Sequence, residues 1–207
     1  MEMKLTSLLK IDETLVIPAS VTTAEAFKDD PATLWTIPDV RKRQNLRYAM
    51  EPYLRIAAGG YGAAYTTSEK CEGVAAWVPA GQVPPGVTSL IRAGFPRLPL
   101  RCGWQYLLRN AAIDRWCKKL RKELAPERHT YLALLAVAPE HQGRGHASAL
   151  LKPMLAKLDA TGEVCYLETQ TPRNAEMYKH FGFKTLKEVT TPRTGLPLWL
   201  MLRKPQT

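Results

Sequence analysis

Between Tyr131 and Leu158 the chain passes from an apolar run, Tyr131 to Val137, through Gln142, Gly143, Arg144, Gly145, His146 and Ala147, into a helical pattern from Ala147 to Leu158. This order constrains the fold more than any other feature. An apolar run of strand length, a compact loop and a helical period together predict a strand that feeds a helix N-terminus. Unpaired backbone N–H groups gather there at the positive end of the helix dipole, where a phosphate or pyrophosphate is stabilised. Gly143 and Gly145 place no Cβ between backbone and ligand, and Arg144 adds a cation with forked donors. The first implication is a phosphorylated cofactor.

A length of 207 residues with 45% hydrophobic content is enough to bury a sizeable core, and the default expectation is one domain spanning residues 1–207. The N-terminus shows no charged stretch followed by an apolar core and a small-residue cleavage site. No run approaches the roughly 18 apolar residues of a membrane span. The expectation is a soluble, cytoplasmic protein with no membrane partner. Cys71, Cys102, Cys117 and Cys165 are far apart, without a CxxC pair or a nearby histidine. They read as reduced, mostly buried thiols and indicate no metal site.

The formal charge is +10, and much of the excess lies between Arg92 and Arg128. A charge run of this kind reads first as a solvated helix face and second as a field that steers an anionic cofactor. No zinc-finger spacing or RNA-binding aromatic signature accompanies it, so nucleic acid is not an expected partner.

Along the chain, Glu13 to Ile17 reads as a first edge strand closed by Pro18, followed by a short helix capped by Thr22 or Thr23 and ending at Phe27. Asp29, Asp30 and Pro31 stop that helix. Asp39 is placed to cap a longer one from Val40 to Ala58, which Gly59 and Gly60 terminate. Tyr61 to Thr67 and Gly73 to Val78 read as a hairpin around Ser68 to Glu72. A Pro- and Gly-rich break from Pro79 to Pro85 opens an inserted helical segment, about residues 80–128. Its long helix, Leu100 to Leu124, has Trp104, Leu107, Leu108, Ala111, Ala112, Trp116 and Leu120 as one apolar face. Val164 to Glu168, a helix from Asn174 to Phe181, and strands at Lys184 to Thr191 and Leu198 to Leu202 complete the pattern. Pro153 predicts a kink or early break in the helix that follows the glycine loop.

A dinucleotide-binding G-x-G-x-x-G is the generic rival for the loop, with Glu168 as its acidic partner. Ser148 stands where the third glycine belongs, and too little chain follows to build further parallel units. Val137, Pro139, Gln142, Gly145 and Ala147 instead match V-x-P-x-x-[QR]-x-x-G-x-[GA], and Tyr178 to Phe183 reads Y-x-x-x-G-F. In this order, one helix and one strand apart, the two motifs resemble the acetyl-CoA signature of the GNAT superfamily of N-acetyltransferases across Thr130 to Phe183. Trp77, the helical insertion, Leu167 to Thr169 with Pro172 to Asn174, and the ending Arg203-Lys204-Pro205 look like the puromycin N-acetyltransferase branch, where a proline in this helix also occurs.

The resemblance implies an α/β acyl-CoA N-acyltransferase fold: a mixed, mainly antiparallel sheet splayed at its centre, helices on both faces, and the insertion between the third and fourth strands. It implies acetyl-CoA as cosubstrate and no metal. Main-chain groups of Leu135, Ala136 and Val137 would pair with the pantetheine arm, and Gln142, Gly143, Arg144, Gly145, His146 and Ala147 would hold the pyrophosphate. Asn174 would bond the pantetheine, Tyr178 would protonate the departing thiolate, and Glu168 would accept the amine's proton. The expected reaction is direct acetyl transfer to a primary amine of a small molecule. A protein or peptide acceptor, or a non-catalytic acyl-CoA-binding role, are the alternatives. Trp35, Tyr48, Tyr53, Tyr61 and Trp77 are candidates to line an acceptor pocket, though such aromatics are more often core. The oligomeric state is not indicated.

Overall fold

The computed structural model describes residues 8–192 and 194–206; the first seven residues, part of the stretch read above for a leader, lie outside the described residues, as do Arg193 and Thr207. In chain order the elements are β1 (Leu9–Lys10), α1 (Glu13–Phe27), α2 (Pro31–Thr36), α3 (Val40–Arg43), α4 (Leu46–Ala58), β2 (Ala63–Thr66), β3 (Gly73–Val78), α5 (Val87–Ala93), α6 (Leu98–Cys102), α7 (Trp104–Leu124), β4 (Thr130–Val137), α8 (His146–Thr161), β5 (Cys165–Thr169), α9 (Pro172–Lys179), β6 (Lys184–Thr190) and β7 (Pro197–Arg203). The strands form one sheet in the order β1-β2-β3-β4-β5-β7-β6. Every neighbouring pair is antiparallel except β4 with β5.

That parallel pair is brief. It consists of Thr130 opposite Cys165 and Tyr131 opposite Tyr166, after which the two strands separate. On its other edge β4 pairs Leu132 with Trp77 and Leu134 with Ala76, leaving Ala133 as an extra residue. A bulge of this kind bends the strand that carries it, and here the bend carries β4 away from β5. From Leu132 to Val137, the β4 edge facing β5 has no strand partner among the described residues.

Both faces of the sheet are covered. On one, Leu150, Leu151 and Leu155 of α8 and Tyr178 of α9 pack against Ala75, Trp77, Leu132 and Leu167. On the other, Val16 and Ala19 of α1 and Leu54 of α4 lie on Ala64 and Val74. Trp116 and Leu120 of α7 cover Tyr166, Leu198 and Leu200 farther along that face. Each such aliphatic side chain removed from water stabilises the fold by about 1.5–3 kcal/mol. Ala24, Ile37, Leu46, Leu98 and Tyr106 join the insertion to the N-terminal helices.

The N-terminal half corrects the sequence expectations. Glu13 to Ile17 is the start of a helix, not a strand, and Pro18 lies inside that helix. Asp12 decides the local outcome, since its carboxylate accepts from the Thr14 and Leu15 N–H groups and caps α1. The missing Pro18 donor costs less than the burial of Val16, Ala19 and Ser20 returns. Thr23 caps nothing; it is buried, and its hydroxyl donates to the Ala19 carbonyl. Asp39 does cap a helix, but α3 ends at Arg43 and α4 starts afresh at Leu46. The long helix of the insertion is likewise divided, with Gly103 between α6 and α7 at φ +86°. Trp104 and Leu108, assigned to its apolar face, are 69% and 70% exposed. The helix instead buries Tyr106 and turns Trp116 and Leu120 to the sheet. Helix α8 has no early break and runs through the buried Pro153 to Thr161.

Candidate functional site

The split between β4 and β5 opens a cleft of about 440 Å³. Leu135, Ala136 and Val137 line it from β4, and Gln142, Gly143, Gly145, His146 and Ala147 from the loop and the start of α8. Asn174 and Tyr178 line it from α9. Arg144 is exposed and stands outside the lining.

The loop is held by its own chain. A short turn at Pro139–His141 follows β4, and the Gln142 side-chain amide donates to the Val137 carbonyl at 3.3 Å. Gly143 and Gly145 have φ of +76° and +86°, and a Cβ on either would meet no protein atom within 4 Å. That combination leaves the backbone bare on its open side, the arrangement a polyanion needs for close approach. Gly145 precedes α8 in a left-handed conformation, and no side chain caps the helix. The first in-helix bond runs from Ala149 N–H to the Gly145 carbonyl, so the preceding first-turn donors are left for a ligand.

Tyr178 is 7% exposed and meets Phe183 edge-on at 5.7 Å between ring centroids. Burial pushes its phenol above the ordinary value, which keeps the hydroxyl protonated. The hydroxyl of Thr171 accepts from the Asn174 N–H at 3.3 Å, so Thr171 caps α9 and the Asn174 side chain is not used as a cap.

Glu168 is not among the residues lining the cleft. Its carboxylate accepts from Arg121 Nε and Nη2, both at 3.1 Å, and from the Tyr131 hydroxyl at 2.7 Å. The Arg121 guanidinium in turn lies 3.5 Å from the Tyr131 ring centroid. Burial opposes the charge on Arg121, but Tyr131 and Glu168 outweigh it and hold the guanidinium more firmly protonated. Two guanidinium bonds and the Tyr131 hydroxyl thus engage both carboxylate oxygens. The paired cation comes from the insertion, a partner no local motif identifies.

The candidate aromatics stand elsewhere. Trp77 is core, Tyr53 packs edge-on against Phe95, and Tyr48 lies between the guanidinium groups of Arg47 and Arg101. Trp35 lies under Arg109, and neither it nor Tyr61 lines the cleft. Cys165 is fully buried in β5, and burial pushes its thiol up to about 12, so it carries no thiolate for an acyl-enzyme. Among the described residues no cluster of potential metal ligands occurs.

Sequence reasoning missed Phe27 and Asp30, which line the cleft from the end of α1 and the cap of α2, and also His141 and Arg173. Arg173 sits beside Asn174 in a stretch already singled out, and His141 flanks the loop. Phe27 and Asp30 left no signal, because their approach to β4 depends on the path of α1.

Residues 111–185 match the acetyltransferase (GNAT) domain. A Schizosaccharomyces pombe protein named as an uncharacterized N-acetyltransferase is 26% identical over 203 residues, covering 91% of this chain and 79% of its own. A crystal structure described as histone acetyltransferase HPA2 and related acetyltransferase, from Corynebacterium glutamicum, aligns with a TM-score of 0.69 at 23% identity over 97% of each chain. A mosquito arylalkylamine N-acetyltransferase like 5b aligns with a TM-score of 0.57 at 13% identity, over 95% of this chain and 98% of that one.

Proposed function

We propose that this chain is an N-acetyltransferase of the GNAT superfamily, whose domain residues 111–185 match, and that it transfers the acetyl group of acetyl-CoA directly to a primary amine of a small molecule, within a domain spanning residues 1–207. One observation carries the reading: Tyr178, the free edge of β4 and the uncapped start of α8 open into a single cleft. The cleft suits the cosubstrate part by part. Bare backbone at Gly143 and Gly145 and the first-turn donors of α8 would hold the pyrophosphate, with Gln142, His146 and Ala147 around it. The edge from Leu135 to Val137 would pair with the amides of the pantetheine arm, and Asn174 would add a side-chain amide. Acetyl-CoA supplies a thioester, whose thiol is a tolerable leaving group at a pKa of about 8.5.

Attack by the amine forms a nitrogen–carbon bond as the carbon–sulfur bond breaks. Tyr178, kept protonated by burial, gives its proton to the departing sulfur and regains one from solvent. The amine must shed a proton, and Glu168 is already bound to Arg121 and Tyr131. Water therefore accepts it. This suits a weakly basic acceptor, since an amine of pKa near 8 is neutral about a tenth of the time at pH 7, whereas a lysine-like amine is neutral in only a few parts per ten thousand. Arg109 of α7 donates to the Trp35 carbonyl of α2 at 2.8 Å and ties the insertion to the N-terminal helices, while the cleft lining itself contains no residue of the insertion.

Thiol release from acetyl-CoA, measured over a panel of small amines, aminonucleosides and peptides with free amino groups, tests the assignment. Release with small amines is expected. Release with peptides alone would replace the acceptor class, and acetyl-CoA binding without release across the panel would leave a binding protein.

A further inference from the structure

The cleft has an unequal distribution of charge. His141, His146 and Arg173 lie on the side of the glycine loop and α9, where a polyanion is expected. Asp30 is the one acidic residue in the lining. It stands between α1, which packs on β3 and β4, and α2, which packs on α7 over β5. This places it on the opposite face of the split sheet from α9 and Tyr178. A carboxylate in a cleft that takes a polyanion weakens binding unless it meets a second, positively charged ligand.

The local structure does not require that charge. One oxygen of Asp30 accepts from the Ala32 N–H at 2.9 Å and caps α2, a task asparagine or serine performs about equally well. No cation pairs with Asp30 among the described residues, and burial raises its carboxyl above the ordinary value. Holding an unpaired carboxylate in a half-buried position costs stability, and a cap alone does not account for it.

We propose that Asp30 is the anionic anchor for the positive charge of the incoming acceptor, so that the enzyme selects primary amines that enter as cations over amines that enter neutral. The inference rests on the acetyl-transfer reading. It adds a specificity-determining group to the cleft that the proton donor also lines.

The test compares the wild-type chain with Asp30→Asn, which keeps shape and cap but removes the charge. Thiol release at saturating acetyl-CoA is measured with glycinamide and alaninamide, weakly basic amines that are mostly cations at pH 7, and with aniline as the neutral amine, alongside acetyl-CoA affinity by calorimetry. In the variant, kcat/KM for the cations falls about tenfold or more through KM, a loss in the range of one charge-assisted contact. The aniline value and acetyl-CoA affinity stay within about twofold, and Asp30→Glu restores part of the loss. An unchanged ratio of cation to aniline in Asp30→Asn overturns the anchor while leaving acetyl transfer standing. Thiol release by the wild type with aniline but neither cation overturns it as well. Failure of the wild type to bind acetyl-CoA would sink the transfer reading and the anchor with it. Asp30→Ser, which keeps the cap with a shorter side chain, must lose the cation preference as Asp30→Asn does; if it keeps the preference, the anchor is overturned.

Discussion

The two faces of β5 treat the same split differently. Cys165 and Leu167 lie among the uncharged side chains that α8 and α9 press against the sheet. Tyr166 and Glu168, one residue out of step, meet α7 and its half-buried Arg121. The first face is an apolar support that leaves Tyr178 free in the cleft. The second is a closed polar cluster whose members are spent on one another. Alternation along β5 thus puts Glu168 on the face away from α9 and Tyr178, where Arg121 pairs with it.

Four variants break or sharpen that contrast. Arg121→Ala should have the largest effect, because it strands Glu168, whose side chain is 7% exposed, without its cation. A stability loss of about 3–5 kcal/mol is expected in denaturant titration, and much less when Arg121→Met is combined with Glu168→Met. A chain as stable as wild type would show that the polar face holds nothing together. On the cleft face, Gly145→Asp should weaken acetyl-CoA binding at least about 100-fold, or about 2.7 kcal/mol. Gly145→Asn tolerates the same positive φ without the charge and should bind far better; equal losses in the two variants would trace the effect to backbone strain.

Tyr178→Phe should lower turnover about 10- to 100-fold, at or below the lower end of what positioned proton transfer contributes, with acetyl-CoA affinity unchanged. Burial raises the Tyr178 phenol, so in the wild type any alkaline loss of turnover through this group begins above the ordinary tyrosine value of about 10. Full turnover in the phenylalanine variant would remove Tyr178 from the mechanism. The smallest effect is expected at Thr171→Ala, which removes the cap of α9 and should cost about 1 kcal/mol. If turnover falls there as far as in Tyr178→Phe, the position of α9 rather than its hydroxyl governs the rate.

How much was legible follows the range of the forces involved. The stretch from Thr130 to Phe183 could be read more closely, because the strand, the glycine loop, α8 and α9 follow one another, although α9 runs Pro172–Lys179 rather than Asn174 to Phe181 and Pro153 does not break α8. Gly145 opens α8, Thr171 caps α9, and the bulge at Ala133 lies in the strand the motif begins. The N-terminal half was misread where packing overruled propensity. Val16 in a β-branched stretch suggested a strand, yet Asp12 caps a helix there and the sheet buries one side of it. Trp104 and Leu108 have helical spacing, but Gly103 turns α7 so that its covered side lies elsewhere.

The sequence by itself determined the strand, the glycine loop and the helix that open the cleft, since these depend on contiguous backbone and on spacings of a few residues. It also determined that an insertion would follow β3. Only the tertiary structure decided which charges are available. Glu168 is paired because Arg121 arrives from the insertion, and Asp30 reaches the cleft because α1 packs on β3 and β4. A charge works through what surrounds it in three dimensions, and neither the neighbour that neutralises a carboxylate nor the space left open before one is written in the residues alongside it.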